Sequence, residues 1–359
     1  MTQLQQSIAV GADAIGELLG AGLAKLLGPE LVSRWQLRRD PYQSCVITLS
    51  HNDVTVAAAL VSGRPATAAC KIVDLWCGDD GVAGVSLLDA VVELARRRGA
   101  VVIKWEIREG AELPPFAVAR GFVPMRPPRS TEGTESVRGY ALWLESVPHA
   151  EARYYAQTTD FTCGAVAALI AAELAGRPGF AGDRTDRRLE IDFWRRASNF
   201  PACEPIGLAV ALKRHVGAER GVEVTLNSDN PVLVEDFVGF EREFRVELQS
   251  DSMQHASELQ IPFREDRIEV SEIAARIAGG EVALLLITQT PMHCQNEPHW
   301  ITAHASDGHS VVIVQDPWID RSAGETWVDS HDLPVSLVDL GSMCSWGEDG
   351  YRGVVFLTR

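Results

Sequence analysis

The 359-residue chain lacks any CxxC pair: its seven cysteines, at 45, 70, 77, 163, 203, 294 and 344, are scattered and odd in number. That spacing excludes a disulfide framework and a finger-type zinc site, and it predicts reduced thiols and a cytoplasmic location. A basic surplus is also lacking. With 33 Lys and Arg against 49 Asp and Glu, the formal charge is -16, so little positive charge is left to neutralise phosphates and a nucleic-acid partner is not expected. Local clusters such as "RRRG" (96–99) and "RTDRR" (184–188) read as solvated faces. No apolar run is long enough to span a membrane, and there is no GxxxxGK phosphate loop, internal repeat or low-complexity segment. The N-terminal stretch has no basic leader, and Asp13, Glu17 and Lys25 interrupt its apolar residues. It reads as an amphipathic helix pair, with a helix lying on a membrane surface as the alternative, and not as a signal peptide.

What is present is an ordinary globular composition, 46% hydrophobic and 23% charged, over about two usual domain lengths. The seam is expected near residue 150, giving domains 1–148 and 149–359. In the first, "SCVITLS" (44–50), "VTVAAALVSG" (54–63), "KIVDLWC" (71–77), "VVIKWEI" (101–107) and "RGYALWLE" (138–145) read as strands, with "HND" as a hairpin turn. The helix predicted over 84–100 carries Leu87, Leu88, Val91, Val92 and Ala95 on one stripe and stops at Gly99. A short helix over 115–122 ends at Gly121, and the Pro- and Ser-rich 123–136 reads as a loop. This order predicts an α/β fold. In the second half, helices at 163–175, 188–198, 205–216 and 271–280 are followed mostly by strands, at 281–289, 299–305, 310–317 and 352–358. That predicts an α+β fold with helices on one side of an antiparallel sheet. The acidic segment 229–266 reads as loop, by default a solvated face.

The chemistry concentrates around "QTTDFTCGAVAALIAAEL" (157–174), where Cys163 opens a run of strong helix formers. A helix N-terminus presents unpaired N–H groups and a positive dipole end, which favour a thiolate over a thiol. Gly164 is read as leaving space above the sulfur for an incoming carbonyl. Farther on, "HWITAHASDGHSVVIVQDP" reads as a hairpin turning at Asp307-Gly308. That register sets His299 directly opposite Asp316, with Cβ atoms about 4.5–5.5 Å apart on one sheet face shared with Ile301, Ala303, Val312 and Val314. A carboxylate there would fix the imidazole tautomer for a nucleophile–base–orienter set. Gln157 would add an oxyanion donor beside the Cys163 backbone N–H. His304 and His309 fall on the opposite face and read as surface or turn residues, while His293, His255 and His215 have no acidic partner at a fixed offset. His293, Cys294, His299 and His304 suit zinc by residue type, but no second thiol stands at finger spacing, so no metal is expected.

Together "YYAQTTDFTCGAVA", "PHWITAH" and "VQDP" resemble the papain-like cysteine peptidases of the bacteriocin-processing, double-glycine type, in a soluble subgroup that "FWRRAS" and "CEPIGLAVAL" also resemble. The resemblance implies a papain-like α+β fold in which Gln157 lines the oxyanion hole, Cys163 attacks, His299 is base then acid, and Asp316 orients it. Cys203 is read as structural. The first half is similar to GNAT acetyltransferases through "LWCGDDGVAGVSLLDAVVELARRRGA" and "FAVARGF". Such a resemblance implies acyl-CoA held at a helix N-terminus. Gly84 fits one small position of that segment, but Val82 and Asp79 replace the other small residue and the Arg or Gln, and Asp79 with Asp80 would repel a pyrophosphate. The expectation is a hydrolase cleaving a peptide or isopeptide bond through a thioester on Cys163, needing no cofactor. Its substrate would be a peptide or a carrier-linked product, released or matured without coupling to transport. The alternatives are acyl or aminoacyl transfer from the same thioester, acetyl transfer by the first half, and a binding module with relict sites.

Overall fold

The alternating patterns of the first half fold into one mixed sheet. In the computed structural model, which describes residues 4–78, 81–129, 137–197 and 202–358, the chain forms two compact units. The first comprises the described residues within 1–127, 133–146 and 320–329; the second, those within 128–132, 147–319 and 330–358. The first sheet runs β1 (Gln5–Val10), β2 (Cys45–His51), β3 (Val54–Ser62), β4 (Ala69–Cys77), β5 (Val102–Arg108), then β7 (Val137–Trp143) and β6 (Val123–Pro124). The β2–β3 turn falls on Asn52 and Asp53, both at positive φ, as a tight hairpin requires. Only β4 and β5 are parallel in this sheet. They pair from Ala69–Val102 to Ile72–Trp105 and then part, although each strand continues.

Helices α1 (Ala12–Leu18) and α2 (Ala24–Trp35), joined by a π turn, bury Ile15, Leu19, Leu23, Leu27 and Trp35 against Val46, Ala58, Leu60 and Val73. Their apolar stripe is thus taken up by the sheet, which accounts for it without a membrane surface. No helix of the described residues is long and apolar enough to cross a membrane. Strand β1 had not been anticipated, because its largely exposed edge position leaves no apolar alternation to read. Helix α3 (Gly81–Arg97) buries the expected stripe of Leu87, Leu88, Val91, Val92 and Ala95, and Gly99 follows at φ 71°. Helix α4 (Pro115–Arg120) ends at left-handed Gly121. Asp79 and Asp80, and residues 130–136 of the loop expected over 123–136, lie outside the described residues.

In the second unit, α5 (Cys163–Leu174) is apolar on all sides and buried from Cys163 to Ala172. It lies with α6 (Asp186–Ala197) and α7 (Pro205–Val216) against Leu284, Leu286, Trp300, Val355 and Leu357 of the sheet. Helices α8 (Gly239–Glu258), α9 (Val270–Ala278) and α10 (Thr290–His293) follow. Helix α11 (Trp327–Ser330) falls where the chain passes between the units, and α12 (Leu337–Met343) comes near the end. The strands are β8 (Val222–Leu226), β9 (Phe263–Arg264), β10 (Val282–Thr288), β11 (Pro298–Ser306), β12 (Val311–Gln315), β13 (Leu333–Ser336) and β14 (Gly353–Leu357). Their order is β13-β12-β11-β10-β14-β8-β9, antiparallel except for β8–β9. The α+β expectation holds. The segment 229–266, expected as loop, contains the 20-residue α8. Most of that helix is solvated, so it carries little of the apolar periodicity by which helices are read.

Candidate active site

The β11–β12 hairpin departs from the expected register. Asp307 folds its carboxylate back onto the N–H groups of His309, Ser310 and Val311, and the turn widens until Ser306 pairs with Val312. A bulge between Ala303 and Ala305 shifts the ladder again, to Thr302 opposite Gln315. Continued one step, this register puts Asp316 across from Ile301, so His299 and Asp316 are diagonal rather than directly opposed. The net slip at that end is two residues, and an even slip keeps every side chain on its face. His299 therefore still reaches Asp316, with Nε2 2.8 Å from Oδ1 and both residues buried. Oδ1 also accepts the Trp318 N–H at 2.9 Å, which fixes the carboxylate.

Asp316 takes Nε2, which leaves Nδ1 of His299 for its other partner, the Cys163 thiol. Burial alone would discharge the imidazole, but the Asp316 carboxylate and the Cys163 sulfur outweigh it, and the His299 pKa is pushed up to about 10. Cys163 is the first residue of α5 and only 6% exposed. Burial pushes the thiols of Cys70 and Cys344 up to about 12 and that of Cys203 also upward. Cys203 packs beside Gly164, and its carbonyl accepts the Trp300 indole N–H at 2.9 Å. A Cβ on Gly164 would sit 3.1 Å from Trp300 and 3.2 Å from Cys203. The glycine is thus accounted for by helix packing, and the expected open space above the sulfur is not what it provides.

Gln157 is buried on the loop leading to α5, and its backbone N–H donates to Pro317 O at 2.9 Å. One hydrogen of its amide is committed to Thr159 O at 2.8 Å, leaving the other for a ligand. Tyr154 Oη donates to Asp316 O at 2.9 Å, a second tie between this loop and the Asp316 strand end. Sequence reasoning missed Glu190, which is fully buried on α6. Its carboxylate accepts Thr158 N–H (2.8 Å), Thr158 Oγ1 (2.9 Å), Tyr155 Oη (3.3 Å) and Thr162 Oγ1, so one side chain ties down the loop between Gln157 and Cys163. Burial pushes its carboxyl pKa up, and these donors only partly offset that. No signal in "RLEIDFWRRAS" distinguishes this glutamate from its solvated neighbours. Glu190→Ala strands several buried donors and is expected to cost about 3 kcal/mol in urea unfolding, with a smaller loss for Glu190→Gln.

The histidine readings need correction: within α8, His255 Nδ1 lies 3.3 Å from Asp251 Oδ2 four residues earlier, where no acidic partner at a fixed offset was expected. His304 is buried and bonded to Asp332 Oδ1 at 3.0 Å, where a surface residue was expected. His293, for which no acidic partner at a fixed offset was expected, places Nε2 3.9 Å from Asp316 Oδ2 with both side chains fully buried. Both partners come from other elements, so no fixed offset in sequence reveals them. His309 is 80% exposed in the turn, as expected.

In the first unit, Gly84 lies under Phe116, whose ring would stand 2.7 Å from a Cβ there. Helix packing thus explains this glycine without a phosphate. Just past the point where β4 and β5 part, Asp74 and Glu106 are bridged by Arg34, and Lys71 joins Glu106 to Asp329. Neither feature is a cradle for an acyl-CoA pyrophosphate, and Asp79 and Asp80 of that segment lie outside the described residues.

No curated protein matches the chain. Among solved structures it is similar to Ard1 from Thermoplasma volcanium, at 14% identity and TM-score 0.28, covering 39% of this chain and 99% of that one. It is also similar to the ribosomal-protein-S18-alanine N-acetyltransferase from Escherichia coli, at 15% identity and TM-score 0.29, covering 40% and 97% respectively. Residues 152–358, more than half the chain and the whole of the Cys163–His299–Asp316 constellation, match the profile of the Peptidase_C39-like family, and the chain belongs to that family.

Proposed function

We propose that the second unit is a cysteine hydrolase that cleaves a peptide or isopeptide amide through a thioester on Cys163. The observation that carries this reading is a buried imidazole held between a helix-terminal thiol and a hydrogen-bonded carboxylate. In the first step the Cys163 sulfur attacks the carbonyl carbon. The C–S bond forms, and the oxyanion draws on the Cys163 N–H and the remaining Gln157 amide hydrogen. His299, protonated at the start, gives its proton to the leaving nitrogen as the C–N bond breaks. Water then yields a proton to His299, adds to the thioester and expels the Cys163 sulfur, which restores the starting state. Asp316 keeps the ring aligned and its cation stabilised throughout. The substrates proposed are a peptide undergoing maturation or a product held on a carrier protein, with no cofactor. The crowding of Gly84 and the acidic Asp79–Asp80 pair support a first unit that works without acyl-CoA.

The test is the charge on His299. Folded, it holds a proton up to about pH 10; unfolded, only to about its usual 6.5. Its contribution to stability is therefore fully present below pH 6.5 and is lost as pH rises toward 10. Asp316→Asn is expected to lower the imidazole titration, read by NMR, by more than one unit. It should also slow iodoacetamide labelling of Cys163 at pH 6 about tenfold or more, with a larger loss in His299→Ala. Wild-type Cys163 labelling no faster than Cys344 would end the proposal.

A further inference from the structure

A second cluster of titratable side chains lies in the same unit, and the mechanism above does not use it. Asp332 is buried between three imidazoles. Its Oδ1 accepts from His304 Nε2 at 3.0 Å and from the Gln315 amide, so that oxygen is spoken for. The other oxygen, Oδ2, lies 3.6 Å from His331 Nε2 and 3.7 Å from His149 Nε2. Glu151 Oε1 stands 3.9 Å from the same His331 nitrogen. Glu151, His331 and Asp332 each offer a ligand atom within 4.8 Å of the others, and His149 Nε2 stands at the edge of this set, beside Asp332 Oδ2. Around a tetrahedral ion with bonds of about 2.0–2.1 Å, donor atoms stand roughly 3.3–3.4 Å apart, so the partly exposed His149 and Glu151 side chains would swing inward to close the set.

We infer that His149, Glu151, His331 and Asp332 form a binding site for a divalent first-row transition ion, zinc being the ion that best suits two imidazoles and two carboxylates.

The surroundings fit that use. The Asp332 carboxylate is buried. His304 and Gln315 orient that carboxylate from behind, as outer-shell groups do for metal ligands. The His331 side chain is fully buried, whereas His149 is 12% and Glu151 35% exposed, which gives the ion a way in. His331 Nε2 donates to Ala152 O at 2.8 Å. Ligation moves that proton to Nδ1 or to solvent. The ion would staple residues 149–151, which lead into the Gln157–Cys163 loop, to the start of β13. The site does not depend on the hydrolase reading.

The experiment is a calorimetric titration of the full chain, freed of metal by a chelator, with zinc chloride. Cobalt(II) would serve as a spectroscopic substitute, and a Cys294→Ser background would remove the one exposed thiol. Wild type is expected to bind one equivalent, show tetrahedral cobalt bands and gain thermal stability from zinc. His149→Gln and Glu151→Gln, both at the rim where the fold should tolerate them, are each expected to weaken binding at least tenfold. No saturable binding up to millimolar zinc, or binding unchanged in either variant, would overturn the site.

Discussion

Cys163→Ala is expected to abolish acyl chemistry, lowering turnover by about 10⁴-fold or more, as when the nucleophile is removed from a coupled catalytic set. The measurement needs no knowledge of the natural substrate. An activated ester such as p-nitrophenyl acetate should give a burst of nitrophenolate from wild type and an acetyl mass increment confined to Cys163. Neither should appear in the variant. The fold is expected to survive, because alanine is the strongest helix former and the position opens α5 within a run already rich in alanine. Unchanged urea unfolding beside lost acylation therefore separates chemistry from stability. Persistence of the burst would move the nucleophile elsewhere and remove the role given to His299. The buried thiols of Cys70, Cys203 and Cys344 are poor substitutes, since burial pushes all three upward.

How much of this was legible in the sequence follows from the kind of information each feature uses. Cys163 was readable because a helix start is a local signal. The His299–Asp316 pairing was readable in part. Face membership depends only on even or odd spacing, and the wider turn plus the bulge slipped the register by an even number at the strand end. The wider turn arises from the Asp307 side chain bonding successive backbone N–H groups, which dipeptide turn preferences do not reveal. Glu190 and the Asp332 cluster were not legible at all. Their partners stand 28 to 35 residues away in one case and up to 183 in the other (Asp332 to His149), and only the folded topology joins them. Gly164 and Gly84 were legible as positions where a side chain is unwelcome. The reason was misread at Gly164, where a packed neighbour fills the space that had been assigned to substrate.

The largest effect on stability is expected from residue 325, in a stretch no local pattern would have assigned to the first unit. Residues 320–329 cluster with that unit, and Glu325 meets Arg64 there. The guanidinium is bidentate, Nε to Oε1 and Nη2 to Oε2 at 2.8 Å each, and the side chains are only 2% and 3% exposed. Glu325 also accepts the Asp320 N–H at 2.9 Å, closing its own loop. In water such a pair is worth little; buried, its net worth is also small, because two desolvation costs stand against one attraction. Removing one partner is different, since the survivor keeps its desolvation cost without compensation. Glu325→Ala is therefore expected to cost about 3–5 kcal/mol, or roughly 10 °C in melting temperature for a unit of this size. Glu325→Gln keeps the shape and one acceptor but loses the charge, and should fall between wild type and alanine. The decisive variant is the double replacement Arg64→Met with Glu325→Leu, which removes both charges and restores apolar volume. It should recover most of the loss, and a double-mutant cycle should give a coupling of about 2 kcal/mol or more. If the double variant is as unstable as Glu325→Ala, the side chains act through packing and loop closure. The cost would then lie in the Asp320 contact and not in a stranded guanidinium.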